Sequence, residues 1–313
     1  MNQQRDKEIT FARLRRKVER KLSKVVVDDV LSFIEQRHPI LWGIQQPYDF
    51  IQAITLLTLY HDLEMIGYVR LVSMINLDFE ISDKSLRHNA CKIRLLLFEW
   101  GESKVIEGDQ DTWTATSINV SHPKSLKPPI LWVDSTDVPL EHKRGMGTKS
   151  PDWSFKLNKP GQRFMVLSDG LGFVRKVWGG YSPKVHDSQF MALLVDWCEE
   201  HLEHVTLVGD QHFEPLKHRW PTITFYTPYK TPPESKDSFT LSGISMLIKA
   251  QEVHNARVRR LRSRVERPFA WIKSTFASLR IPFAEAKEQQ ECLVWFAIGC
   301  FNVFHSQFQY WGR

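Results

Sequence analysis

The stretch Pro129–Val138, PILWVDSTDV, sets the architecture of the chain. Ile130, Leu131, Trp132 and Val133 make an unbroken apolar run that ends on an acid, Asp134. So short and continuous a run, rich in β-branched and aromatic residues, reads as a strand buried on both faces. The stretch Val205–Phe213, VTLVGDQHF, repeats the pattern: an apolar run, then Gly209 and Asp210. A carboxylate at the C-terminal end of a buried strand is held rigidly at a sheet edge, where ligands bind in open α/β sheets. It is costly to desolvate and calls for a cation. One such Asp is commonly a strand-end cap. Two, each on its own apolar strand, point to a site.

The sequence between them supplies the rest of a sheet. RFMVLSDGLGFVRKVWGG (163–180) reads as two strands turning at Asp169-Gly170 and Gly172, a hairpin by turn chemistry. HDSQFMALLVDWCEEHLEH (186–204) has the spacing of an amphipathic helix that starts at His186 or Asp187. Adjacent strands, a helix, a further strand and later helices predict an α/β mixed sheet with flanking helices.

The N-terminal third is of another kind. From Ile9 to Val26, apolar residues at helical spacing alternate with Arg13, Arg15, Arg16, Lys17, Arg20, Lys21 and Lys24, which predicts one helix with a basic face. PYDFIQAITLLTLYHDL and MIGYVRLVSMINLDF also have helical periodicity. In EISDKSLRHNACKIRLLLFEWG (80–101), Ser82 or Asp83 can cap a helix that ends at Gly101. A break, a capped helix and Lys84, Arg87 and His88 near its start suit a DNA-reading helix-turn-helix. The organisation expected is a helical DNA-binding region over 1–110, a polar linker over 111–130 containing HPKSLKPP, and an α/β domain over 131–313. Residues 214–252, with PYKTPPESKDSF, read as an irregular insertion, mobile without DNA.

The composition is ordinary for a globular chain, 42% hydrophobic and 25% charged, with a formal charge of +6. That excess favours a polyanionic partner without specifying one. Cys91, Cys198, Cys292 and Cys300 have no zinc-ligand spacing, so they read as reduced, buried thiols. No secretory signal and no apolar run of membrane-spanning length is seen, and the expectation is a soluble intracellular protein.

One more acid belongs beside the two aspartates. In RVERPFAWIK (264–273), Glu266 stands alone among bases. By itself it would be an i,i+4 charge pair on a solvated helix. Asp134, Asp210 and Glu266, separated by 76 (210 − 134) and 56 (266 − 210) residues, are laid out as strand, strand and late helix. Asp137, three residues past Asp134, is the rival for the first position, although in a strand it points to the opposite face.

In this layout the chain resembles the DDE transposases, specifically those of Harbinger/PIF type. VDST (133–136), YSPKVHDSQF (181–190), VGDQHF (208–213) and above all HNARVRRLRSRVERPFAWIKSTFASL (254–279) carry the resemblance. Ser135, Lys184 and Val185 depart from the family pattern, and residues 1–50 lie outside it. The resemblance implies a ribonuclease-H-like core and a DNA transposase that cleaves and joins phosphodiesters. Such chemistry uses two Mg²⁺ ions about 3.5–4 Å apart, with Mn²⁺ as a substitute. Asp134 would bridge them, and Asp210 and Glu266 would hold one each. Lys156, His186, Arg257, Arg260, Arg264, Arg267 and Lys273 become candidate contacts to DNA phosphate. The partners implied are double-stranded DNA (terminal repeats and target), a Myb-like protein and further copies of the chain on DNA, in a nucleus if the host is eukaryotic. The alternative is a transposase-derived DNA-binding protein without catalysis.

Overall fold

The structure is a computed structural model that describes residues 10–42, 48–74, 81–105, 110–118, 129–141, 147–185, 187–216, 220–229, 241–282 and 286–311. The chain forms two compact units. One comprises Met1–Val105, Val138–Gln162 and Ala270–Arg313; the other comprises Ile106–Asp137 and Arg163–Phe269.

The first unit is mainly helical. Helix α1 spans Phe11–Leu22 and α2 spans Lys24–Trp42. The single helix expected to run to Val26 is broken at Ser23, whose φ is 73°. Ser23 closes α1 by donating its N–H to Glu19 O, and its hydroxyl accepts the N–H of Val26 inside α2. The break lets Leu14, Val18 and Leu22 on α1 and Val26, Val27 and Val30 on α2 all be buried. Helices α3 (Tyr48–Glu64) and α4 (Tyr68–Met74) come next.

Helix α5, Asp83–Lys104, begins as expected, with Ser82 Oγ accepting the Ser85 N–H at 3.1 Å. It does not end at Gly101. That glycine lies inside the helix, where α5 crosses α9, Lys287–Trp311. A Cβ on Gly101 would come within 2.5 Å of Trp295 O, and one on Gly299 within 2.7 Å of the Gly101 Cα. The glycine is there for close backbone approach rather than for a C-cap. Gly101→Ala or Gly299→Ala therefore sets a helix-propensity gain of about 1 kcal/mol against a clash with backbone that no rotamer change relieves. The clash wins: each substitution should lower stability by roughly 1–3 kcal/mol, read as a lower thermal midpoint. A raised midpoint would contradict this packing.

The second unit holds most of the sheet. Strand β1 is Ile130–Pro139, β3 is Lys159–Ser168, β4 is Val174–Tyr181, β5 is Val205–Val208 and β6 is Ile223–Tyr226; β2, Trp153–Ser154, pairs with the start of β3. The order is β2-β3-β1-β5-β6, with β4 also on β3. β1 and β5 run parallel, as do β5 and β6, whereas β3 and β4 form the expected antiparallel hairpin. Asp169 shapes its turn by accepting the N–H groups of Leu171 and Phe173 on one carboxylate oxygen and Arg175 on the other. Helix α7, Asp187–His201, covers the sheet with Phe190, Met191 and Leu194 against Leu131, Val133, Met165 and Leu207. This mixed sheet with flanking helices, accompanied by a helical N-terminal region, is the ribonuclease-H-like class expected.

Two segments hold more structure than their composition suggests. Inside the expected linker, α6 spans Gln110–Ile118. Its Trp113 stacks on Trp197 at 5.0 Å, and its Ser117 hydroxyl accepts the Ile130 N–H at 2.7 Å. Within the expected insertion, β6 extends the sheet and α8, Leu241–Thr275, has already begun. Residues 230–240 lie outside the described residues.

Candidate functional site

The parallel register fixes the first half of the site. Ile130 pairs with Thr206, Leu131 with Leu207 and Trp132 with Val208. Carried two residues further, the same offset of 76 (206 − 130) sets Asp134 level with Asp210. β1 continues to Pro139, so Asp134 stands within its strand, beyond the end of the parallel ladder, and not at the strand terminus the sequence suggested. Ser135 N–H donates to Asp134 Oδ1 at 2.8 Å, and Gln211 N–H donates to Asp210 Oδ1. Gly209 is required between β5 and Asp210, because a Cβ there would lie 2.5 Å from the Phe213 ring. Both carboxylates are thus oriented by backbone and keep their second oxygens for another partner.

That partner comes from α8. Along one stripe of this helix, at i,i+4 spacing, lie His254, Val258, Arg262 and Glu266. His254 Nε2 bonds Thr227 O at 2.9 Å and sits 4.6 Å from the rings of Tyr226 and Tyr229; Val258 is fully buried. Asn255 completes the anchor by accepting the Tyr229 N–H at 2.8 Å and donating to Tyr229 O at 3.0 Å. These contacts hold the helix against the end of β6. One and two turns on, Arg262 Nη2 lies 3.4 Å from Asp134 Oδ2, 3.6 Å from Asp210 Oδ2 and 3.9 Å from Glu266 Oε1. The three acids singled out in the sequence therefore converge on one guanidinium nitrogen. Side-chain exposure rises from 17% at Asp134 through 36% at Asp210 to 58% at Glu266, so the cluster opens to solvent on the Glu266 side.

Could these residues hold a divalent ion? All three carboxylates have an oxygen within 3.9 Å of a single point already occupied by positive charge. An all-oxygen, hard donor set suits Mg²⁺ or Mn²⁺. Among the described residues no three acidic, His or Cys side chains are grouped closely enough to bind an ion as they stand. The donor set fits the ion in kind; the carboxylates would have to draw closer together to coordinate it.

The rival acid has a different environment. Asp137 is 1% exposed and takes a two-pronged ion pair from Arg163, Nε to Oδ1 at 2.8 Å and Nη2 to Oδ2 at 3.2 Å. Arg163 also donates to Val185 O at 3.0 Å. Asp137 is committed to holding β1 on β3.

The other sequence candidates are dispersed. Arg257, Arg260 and Arg267 are exposed on α8, away from the acid-facing stripe. The side chain of Arg264, and His186 altogether, lie outside the described residues. Lys156 is exposed in the turn after β2, Lys273 is half-buried near the end of α8, and both belong to the first unit. Lys84 and His88 are exposed near the start of α5, with Arg87 over the Tyr68 ring at 5.5 Å. The turn before that helix includes residues 75–80, outside the described residues. Trp153, Trp178 and Trp271 pack against neighbours, Trp178 edge-on to Trp197 and Trp271 against Phe301 and Phe304. A further basic feature is a groove of about 240 Å³ lined by Arg13, Arg16, Lys17 and Arg20 on α1. Two roles escaped the sequence reading, the Asn255 clamp and the Arg262 bridge; the i,i+4 spacing of Arg262 to Glu266 was the available signal for the second.

No helix among the described residues is long and apolar enough to cross a membrane. A search of curated proteins found no match. A family model described as the transposase DDE domain matches residues 125–303. That span includes β1 with Asp134, β5 with the Asp210 that comes after it and the whole of α8 with Glu266, and it covers more than half of the chain. The chain belongs to the DDE-domain transposase family.

Proposed function

We propose that this protein is a DNA transposase of Harbinger/PIF type whose nuclease site is Asp134, Asp210 and Glu266. The observation that carries this reading is the convergence of the three carboxylates on the Arg262 guanidinium. The 254–279 block, from Asn255 through Val265-Glu266-Arg267 to Lys273, supports the subtype.

Two bound Mg²⁺ ions, or Mn²⁺, would activate the attacking oxygen and stabilise the leaving one in an in-line displacement at phosphorus. The chain's own residues do the positioning. Asp134 and Asp210, level on neighbouring strands and braced by backbone N–H groups at Oδ1, present their Oδ2 atoms together. Glu266 closes the third side from a helix anchored through His254 and Asn255. Arg257, Arg260, Arg264, Arg267, Lys156, His186 and Lys273 are assigned to the DNA backbone, with Lys84, Arg87 and His88 in a helix-turn-helix reading terminal repeats. A Myb-like partner, assembly of several copies on DNA and a nuclear location in a eukaryotic host complete the proposal.

The test is nicking and strand transfer on duplexes that carry the terminal repeats flanking the gene. Products should require Mg²⁺ or Mn²⁺; equal products from wild type and Asp134→Ala would sink the assignment. The α1 groove supplies a separate prediction. Its arginines Arg13, Arg16 and Arg20 line one basic face, a backbone-contacting surface without base specificity. Arg16→Glu with Arg20→Glu should weaken binding to any duplex to a similar extent and flatten the slope of log K against log salt by about two. A loss confined to terminal-repeat DNA would contradict this role.

A further inference from the structure

Arg262 differs from the other arginines that meet buried acids in this molecule. Arg163 grips Asp137 at 2.8 and 3.2 Å, and Arg94 grips Asp62 at 2.6 and 3.1 Å, each through two nitrogens. That is the short, forked geometry of a structural ion pair. Arg262 offers one nitrogen to three carboxylates at 3.4, 3.6 and 3.9 Å, with one long hydrogen bond, to Asp134 Oδ2, and no forked pair with any of them. Its Nε is buried with no hydrogen-bond partner, so the side chain reaches the acids through Nη2 alone. The position is defined by charge, one cation against three anions.

We propose that Arg262 is a built-in counter-ion. It holds Asp134, Asp210 and Glu266 together while no divalent ion is bound, and it must give up this place for an ion to enter. The inference rests on the reading of these acids as metal ligands. Three carboxylates this close repel one another, and one guanidinium leaves them still net negative, so the cluster is assembled yet attractive to a stronger cation. The same nitrogen stands where the acid oxygens converge, so ion and guanidinium cannot both occupy it. Arg262 is therefore a positioning residue whose removal tightens metal binding, whereas loss of a merely structural residue would weaken it.

The experiment is a Mn²⁺ titration of the full chain, without DNA, monitored by calorimetry and by the Mn²⁺ spin-resonance signal. Wild type should bind in a manner abolished by Asp134→Asn. Arg262→Gln should bind Mn²⁺ on the order of tenfold more tightly, since one competing charge at contact distance has been removed. Arg262→Lys should bring the affinity back toward wild type. Without metal, Arg262→Gln should melt below wild type, and saturating Mn²⁺ should close that gap. Asp134-dependent binding that is equal or weaker in Arg262→Gln overturns the counter-ion role and leaves the metal-site reading standing. No binding above the Asp134→Asn background in either protein overturns both. Should Arg262→Gln not fold, the wild-type Arg262 Nε–H resonance, assigned by its loss in Arg262→Lys, decides: it should move in step with Mg²⁺ addition, and an unmoved resonance overturns the proposal.

Discussion

Asp134→Asn and Asp210→Asn are each expected to reduce DNA cleavage and joining by about a thousandfold or more, with the fold and duplex binding retained. The size reflects the interaction removed. Divalent-ion stabilisation of a phosphoryl displacement contributes several kcal/mol, and about 4 kcal/mol is a thousandfold in rate. Asn keeps the shape and the oxygen that accepts the Ser135 N–H, but it loses the charge that would hold an ion. Removing one of three repelling carboxylates also relieves the cluster, so the melting temperature should hold or rise. Asp137→Asn is the contrast. It strips a buried partner from Arg163, and breaking such a pair typically costs about 3–5 kcal/mol. Single-turnover nicking with duplex binding by fluorescence anisotropy separates the cases. If Asp134→Asn kept activity within tenfold while Asp137→Asn lost it at unchanged stability, the rival acid would be the true first ligand.

How much of this could be read from sequence depends on the range of the interaction concerned. The apolar runs at 130–133 and 205–208 are local signals and both became strands, although β1 runs on past Asp134 to Pro139, whereas β5 stops just before Asp210. The Ser82 cap and the Asp169 turn are equally local and appeared where their chemistry demands. Errors arose where a distant element overrides a local rule. Gly101 resembles a helix stop until α9 is known to press its own backbone against that residue. Ser23 breaks a helix whose periodicity runs straight through it, because α1 and α2 each bury their own apolar face. Strand β6 hid inside a Pro-containing stretch, since its pairing with β5 is non-local. At the site, the three acids were nameable from context, but their common focus was not. Arg262 was one of seven basic residues in that block, and only the helix phase set by His254 and Val258 turns it toward the strands.

Arg94→Met is expected to be the most damaging single change in the helical unit, lowering stability by roughly 3–5 kcal/mol. Arg94 and Asp62 are both fully buried, and the pair is bidentate, Nη2 to Oδ1 at 2.6 Å and Nε to Oδ2 at 3.1 Å. Nη2 also donates to Tyr68 Oη at 3.0 Å, tying α3, α4 and α5 together. Burial works against the charged guanidinium, yet the Asp62 charge, its hydrogen bond and Tyr68 outweigh it and hold the Arg94 pKa above its ordinary value. Taking Arg94 away leaves the Asp62 carboxylate in an apolar interior, a penalty larger than the net worth of the pair itself. The double variant Arg94→Met with Asp62→Leu should therefore recover much of the loss, although neither contact is restored. For a chain of this size the single variant corresponds to a fall of roughly 5–8 °C in the unfolding midpoint. A double-mutant cycle by denaturant unfolding measures the coupling directly. Additive losses, with the double variant worse than either single one, would mean that the pair stabilises this unit through packing rather than through charge.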